Sequence, residues 1–160
     1  MRRKDREVTE PAALLEIIRE CKICRVAMQD EQGLYIVPLN FGYEFDGDQL
    51  TLYFHSAKEG RKIDILSKAP VVAFEMDCSH QLIESEIACR NGYAYKSIIG
   101  KGNASLIEDT DEKIQALSLI MIHQTGKEFE MPPQAANSVA VFRIDATEFT
   151  GKSRPIPTVQ

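Results

Sequence analysis

The chain has 160 residues, enough for one ordinary domain, and a hydrophobic content of 44% is ample for a core. Its formal charge of −5 excludes the broad basic surface that nucleic-acid binding requires, though not a small basic pocket. The basic opening MRRKDREVTEPAAL is followed by no apolar stretch long enough for a signal peptide or a membrane span, so a cytoplasmic protein is expected.

Pro11 opens a segment in which Leu14, Ile17 and Ile18 recur at helical spacing, predicting a short amphipathic helix to about Cys21. Ile23 to Met28 reads as a strand, and Asp30 to Gly33 as a hairpin turn. From Tyr35 to Phe45 every odd position is apolar, so a second strand buries one face. Pro38 within it belongs on an edge, at a bulge or beside a ligand. Asp46, Gly47 and Asp48 make the next turn, and Leu50, Leu52 and Phe54 the buried face of a third strand, with His55 closing its less apolar side. Ser56 is placed to cap a helix beginning near Ala57 or Lys58, with Ile63, Leu66 and Ala69 on its apolar face and Pro70 at its end.

Val71 to Met76 is a further strand, and Asp77 to Gly92 reads as an irregular loop. Tyr93 to Ile107 is a long strand in which Gly100 and Gly102 mark a bend or a close backbone approach. Asp109 and Glu112 resemble a capping box before a helix striped by Ile114, Leu117, Ile120 and Met121 and ending before Gly126. Met131 to Asn137 is a polar connection, Val139 to Phe149 a last strand, and residues 151–160 a mobile tail behind one domain over residues 1–150. Strands joined mainly by short turns, with three helices and no glycine-rich nucleotide fingerprint, favour a mainly β antiparallel barrel with flanking helices.

His55, Ser56, Lys58, Arg61 and Lys62 cluster at a strand end and the first turns of a helix. Backbone donors at a helix start, a hydroxyl, a guanidinium and two ammonium groups suit a phosphate. The same residues also fit an ordinary solvated face, and spacing alone does not choose between them. Pro38 to Phe41 exposes backbone able to bond a heteroaromatic edge, and Tyr93, Tyr95 and Ser97 can stack on a ring or line a subunit interface, although each also reads as plain strand. Cys21 and Cys24 form a CxxC pair that Cys78, His80 and Cys89 could complete as a zinc site. A second tight pair is missing, and reduced buried cysteines are the preferred reading, with no metal. Because Cys21 follows a helix rather than opening one, thioredoxin-like chemistry is not expected of it.

The segments CKICRVAM, YIVPLNFGYEF, LTLYFHSAKEGRKIDIL, FEMDCSH and YKSIIGKGNA occur in this order. Together they resemble the Nim family of 5-nitroimidazole-resistance proteins, within the pyridoxamine 5′-phosphate oxidase-like FMN-binding split-barrel superfamily. The resemblance implies a six-stranded antiparallel split β-barrel, a homodimer and FMN at the subunit interface. It implies that Val37, Pro38, Leu39, Asn40, His55, Ser56 and Ala57 line the ring and ribityl chain. Lys58, Arg61 and Lys62 would then hold the phosphate, with Ser97 and Ile98 approaching from the partner. It further implies a reductase of nitroaromatic small molecules, with His55 as the catalytic candidate. A flavin- or haem-binding protein without turnover is the alternative. Vitamin B6 synthesis is not expected, because the end EFTGKSRPIPTVQ lacks the histidine of the oxidases' substrate motif.

Overall fold

The computed structural model describes residues 3–68 and 71–157. After a 3₁₀ turn over Lys4–Arg6, the strands are β1 (Glu7–Val8), β2 (Ile23–Asp30), β3 (Gly33–Asn40), β4 (Gly42–Phe45), β5 (Leu50–Ser56), β6 (Val71–Ile83), β7 (Gly92–Ile107) and β8 (Ala140–Arg154). The helices are α1 (Pro11–Glu20), α2 (Arg61–Leu66), α3 (Thr110–Thr125) and the single turn α4 (Pro133–Ala136). The strands make one antiparallel sheet in the order β3-β2-β6-β7-β8-β5-β4, with β1 paired to β8.

Alternation of apolar residues rolls this sheet around a core. Cys24, Val26 and Met28 of β2, Leu50, Leu52 and Phe54 of β5, Phe74 and Met76 of β6, and Phe142 and Ile144 of β8 are all buried in one cluster. Leu14, Ile17 and Ile18 add the buried face of α1. On the opposite side, α3 lies over β4 and β5, and Ala116, Leu117 and Ile120 pack with Ile107, Ala136 and Val141 in a second cluster. The Asp109 carboxylate accepts from the Asp111 and Glu112 amides at 3.0 Å each, and Gly126 (φ 72°) ends α3, both as its sequence predicts.

β3 and β4 are two halves of one run broken at Phe41. The first half pairs with β2 from Ile23↔Asn40 to Asp30↔Gly33, and the second with β5 from Phe45↔Leu50 to Gly42↔Tyr53. The two edges of the sheet are therefore joined by the chain and not by hydrogen bonds, which is the split of the barrel. Counting this run once and setting aside β1 recovers the six expected strands. The bend is held from outside: Gln124 Nε2 donates to Phe41 O at 2.9 Å, and Asn40 Nδ2 donates to Lys22 O at 3.0 Å and to Gln124 Oε1 at 3.1 Å. Gly42 allows α3 to come this close, since a Cβ there would meet the Ile120 nitrogen at 2.5 Å.

Several boundaries differ from the sequence reading. β6 continues to Ile83 through the expected loop, because pairing with β7 resumes at Gln81↔Ala94 after a register shift at Cys78, with Ser79 in the left-handed region (φ 56°). The polar connection contains α4. β8 runs through Arg154, so residues 151–154 are paired strand and not tail. Ala69 and Pro70, expected at the end of α2, and residues 158–160 of the expected tail lie outside the described residues. No helix among the described residues is long and apolar enough to cross a membrane.

Candidate functional site

β5 delivers His55 and Ser56 to one end of the barrel, opposite Val141 and Ala140 of β8. On their other side the ladder with β4 stops at Gly42↔Tyr53, because the chain N-terminal to Gly42 swings away to pair with β2. The edge of β5 beyond Tyr53 and the outer edge of β3 are thus both unpaired where the two strands diverge, leaving backbone donors and acceptors open. Val37, Pro38, Leu39 and Asn40 lie on one side of this divergence, His55 and Ser56 on the other. Val37 and Leu39 turn toward the core, Pro38 occupies the edge position its missing amide favours, and Asn40 is engaged with Lys22 and Gln124. His55 is exposed.

The predicted helix start is displaced. Ser56 donates its hydroxyl to Ala57 O at 2.8 Å and caps nothing. Gly60 (φ 118°) turns the chain instead, its carbonyl accepting from the Ile63 and Asp64 amides at 2.9 and 3.2 Å, so α2 begins at Arg61. Only glycine takes that backbone conformation without strain.

This shift separates the expected phosphate ligands. Arg61 Nε donates to Asp30 Oδ2 at 2.9 Å and Nη2 to Asp30 Oδ1 at 2.8 Å, with the guanidinium 4.7 Å from the centre of the Tyr35 ring. The hydrogen bond from Arg61 holds the Asp30 carboxyl below the usual carboxylate range. Arg61 borders a hollow of about 570 Å³ that also holds Asp30, Glu31, Asp64 and Lys68. Lys58 lies across α2 from it, in a second hollow of about 290 Å³ lined by Ile63, Glu108, Lys113 and Val139 to Val141. Lys62 is half-buried, and burial pushes its ammonium below the ordinary lysine value.

Lys113 is the residue that sequence reasoning missed. Its signal was a lysine one turn ahead of Ala116 and Leu117 on the buried side of α3, and it is 8% exposed. Ser97 and Ile98 lie in mid-β7, away from α2. Ser97 is opposite Asp77 and Lys152 and nearly buried, and the Ile98 side chain is enclosed in the core of the chain. A third hollow, of about 380 Å³, gathers His80, Tyr95, Lys96, Ser153 and Arg154 at the other end of β6 to β8. The alternative zinc donors are dispersed: Cys24 is inside the barrel and Cys89 exposed, and no three His, Cys, Asp or Glu side chains among the described residues converge on a point.

Comparison with known proteins places these elements in context. The profile of the pyridoxamine 5′-phosphate oxidase family matches residues 10–153. A protein from Bacteroides thetaiotaomicron ascribed to 5-nitroimidazole antibiotic resistance is 33% identical, with 92% of this chain and 86% of that chain covered and a TM-score of 0.79. The flavocytochrome Anf3 of Azotobacter vinelandii (17% identity, 100% and 74% covered) and a FAD- and haem-binding protein of Mycobacterium smegmatis (14%, 97% and 77%) share the fold, each with a TM-score of 0.79. No curated protein matches the chain.

Proposed function

Because the chain belongs to the pyridoxamine 5′-phosphate oxidase family, we propose that it binds a flavin, specifically FMN, and reduces nitroaromatic or related small molecules. The observation that carries this reading is the divergence of β3 from β5 beside Lys58. Open backbone edges at Val37 to Asn40 and at His55 to Ser56 suit the polar rim of a flat heterocycle, and the Lys58 and Lys113 ammonium groups suit a phosphate. The residues present fit the group. Arg61, bound to Asp30 in the neighbouring hollow, stands apart from this lysine pair and would reach the phosphate only through its remaining nitrogen, Nη1.

A second copy of the chain completes the site in this proposal. The outer face of β3, β6 and β7 exposes Leu34, Ile36, Val71 and Ile99 at 84%, 63%, 65% and 57%, interspersed with Arg25, Glu75 and Lys101, a mixed surface that a partner subunit would cover. Bound FMN supplies two-electron storage and transfer. The protein's part is to orient the substrate and keep water out. His55, exposed at the divergence, is positioned to orient a nitro group or to donate a proton to its oxygen.

The absorbance spectrum of freshly purified protein tests the ligand. Flavin bands support the reading, and a Soret band or a colourless protein that takes up no added FMN rejects it. Anaerobic reduction by a nicotinamide donor, followed by a nitroimidazole, tests the reaction, and failure of the drug to reoxidise the bound flavin would sink the reductase assignment. His55→Ala is expected to keep FMN and lose turnover by about tenfold or more.

A further inference from the structure

We propose that Cys21 and Cys78 form a redox pair, which a hydroperoxide converts to a disulfide tying the end of α1 to the bulge of β6. The CxxC motif of the sequence is taken apart by the fold. Cys24 enters the barrel core at 0% exposure, whereas Cys21 caps the C-terminus of α1 at 1% exposure, in the cluster against which Cys78 packs from the bulge of β6.

The neighbouring residues hold this contact independently. The Glu20 carboxylate accepts a hydrogen bond from the Ser79 hydroxyl and pairs with Lys96 Nζ at 3.0 Å, while Lys96 lies opposite Cys78 in the β6–β7 register. The Glu20 side chain therefore fastens the end of α1 against Ser79 and Lys96, which flank Cys78 along β6 and across to β7. The register shift that follows Cys78, with Ser79 in the left-handed region, is the irregularity that turns this part of β6 toward α1.

The two thiols differ in access. Cys78 is partly exposed and meets a soluble oxidant, while Cys21 is sealed and has only Cys78 to react with. Burial raises both thiols above the ordinary cysteine value, with the nearby Lys96 partly favouring the Cys78 thiolate. The Cys78 thiolate attacks the distal oxygen of the peroxide, the O–O bond breaks, and hydroxide or alkoxide leaves and takes up the thiol proton, giving the sulfenic acid. The Cys21 sulfur then attacks the Cys78 sulfur, the S–O bond breaks, and water departs with the Cys21 proton. The two thiols lose two electrons and the peroxide gains them.

Trypsin cuts after Lys22 and so places Cys21 and Cys24 on different peptides, residues 20–22 and 23–25, with Cys78 on residues 69–90. The full chain carrying Cys89→Ser, which removes the exposed thiol on that last peptide, is treated with hydrogen peroxide, alkylated and digested. Peptide 20–22 joined to 69–90 is expected, with two of three thiols lost, a raised Tm and full reversal by dithiothreitol. A link through Cys24, or Cys78 carried to sulfinic acid with Cys21 still free, would overturn the pairing. Adding Cys21→Ser is expected to abolish the crosslink and leave Cys78 to over-oxidise. A Cys78 that over-oxidises no faster without Cys21 would count equally against it.

Discussion

His123 Nε2 lies 2.8 Å from the carbonyl oxygen of Cys21, joining the last turn of α3 to the end of α1 across 102 residues of chain. The ring packs 4.7 Å from Phe41 and edge-on to Tyr43 at 5.0 Å, so the helix that braces the strand bend is anchored through a buried imidazole. With a carbonyl as its partner, Nε2 carries the proton and donates it.

That anchor makes stability depend on pH. Burial first, and the nearby Lys22 charge, lower the His123 value below the ordinary 6.5 despite the hydrogen bond to Cys21. The unfolded chain therefore binds the proton more readily than the fold does. The contribution is complete above about pH 6.5 and is lost as pH falls from there toward the folded value. Tm measured between about pH 7.5 and about 5.5 should fall, and His123→Phe should flatten that slope.

Gly42→Ala should destabilise the fold by about 1 to 3 kcal/mol, because the added methyl collides with the backbone of Leu119 and Ile120 and not with a side chain that can move. Urea unfolding measures this directly. The substitution should also loosen the strand bend, and with it the proposed FMN affinity.

Arg61→Gln should weaken FMN binding by about tenfold or more, the loss of one charge-assisted phosphate contact. Asp30→Asn should weaken it less, since Asp30 fixes the guanidinium through Nε and Nη2 and leaves Nη1 available. Titration of the apoprotein with FMN, followed by flavin fluorescence, gives both values. Equal losses would place Asp30 in direct contact with the ligand.

Lys113→Met should lower FMN affinity by about tenfold while leaving the apoprotein as stable or more so, because the stem is already buried on α3 and the replacement conserves volume. Tm of the flavin-free protein separates the two effects. A fall in that Tm would mean the ammonium serves the fold alone.

Sequence reading recovered those elements whose signals are local. Alternation in residues 35–45 and 50–55, the Asp46–Gly47 turn and the Asp109 cap sit where periodicity and turn chemistry predict them, but the single strand expected over 35–45 is broken at Phe41, which periodicity does not mark. The extension of β6 past Met76 had no such signal, since Asp77 to Gln81 is polar on both faces and is strand only because β7 pairs with it. At α2 two caps were available, and the backbone angle of Gly60 decided against Ser56. The Arg61–Asp30 pair spans 31 residues and left no local trace, while Lys113 showed its burial in the α3 stripe but not the hollow it shares with Lys58 from another helix. The Nim-like motifs marked the segment from Tyr53 to Leu66, but not the direction each cation faces.

Joining the sheet's edges through Phe41 also constrains the order in which the chain can assemble. The β2–β3 and β4–β5 hairpins are local and can form early, each on its own turn. Completing the ring then requires β2 to find β6 and β5 to find β8, partners about 50 and about 90 residues away, whose loop-closure entropy must be met before any contact rewards it. The meeting of these two ribbons about one phenylalanine is therefore the step expected to limit folding, and substitutions at the bend should slow refolding more than those within either ribbon.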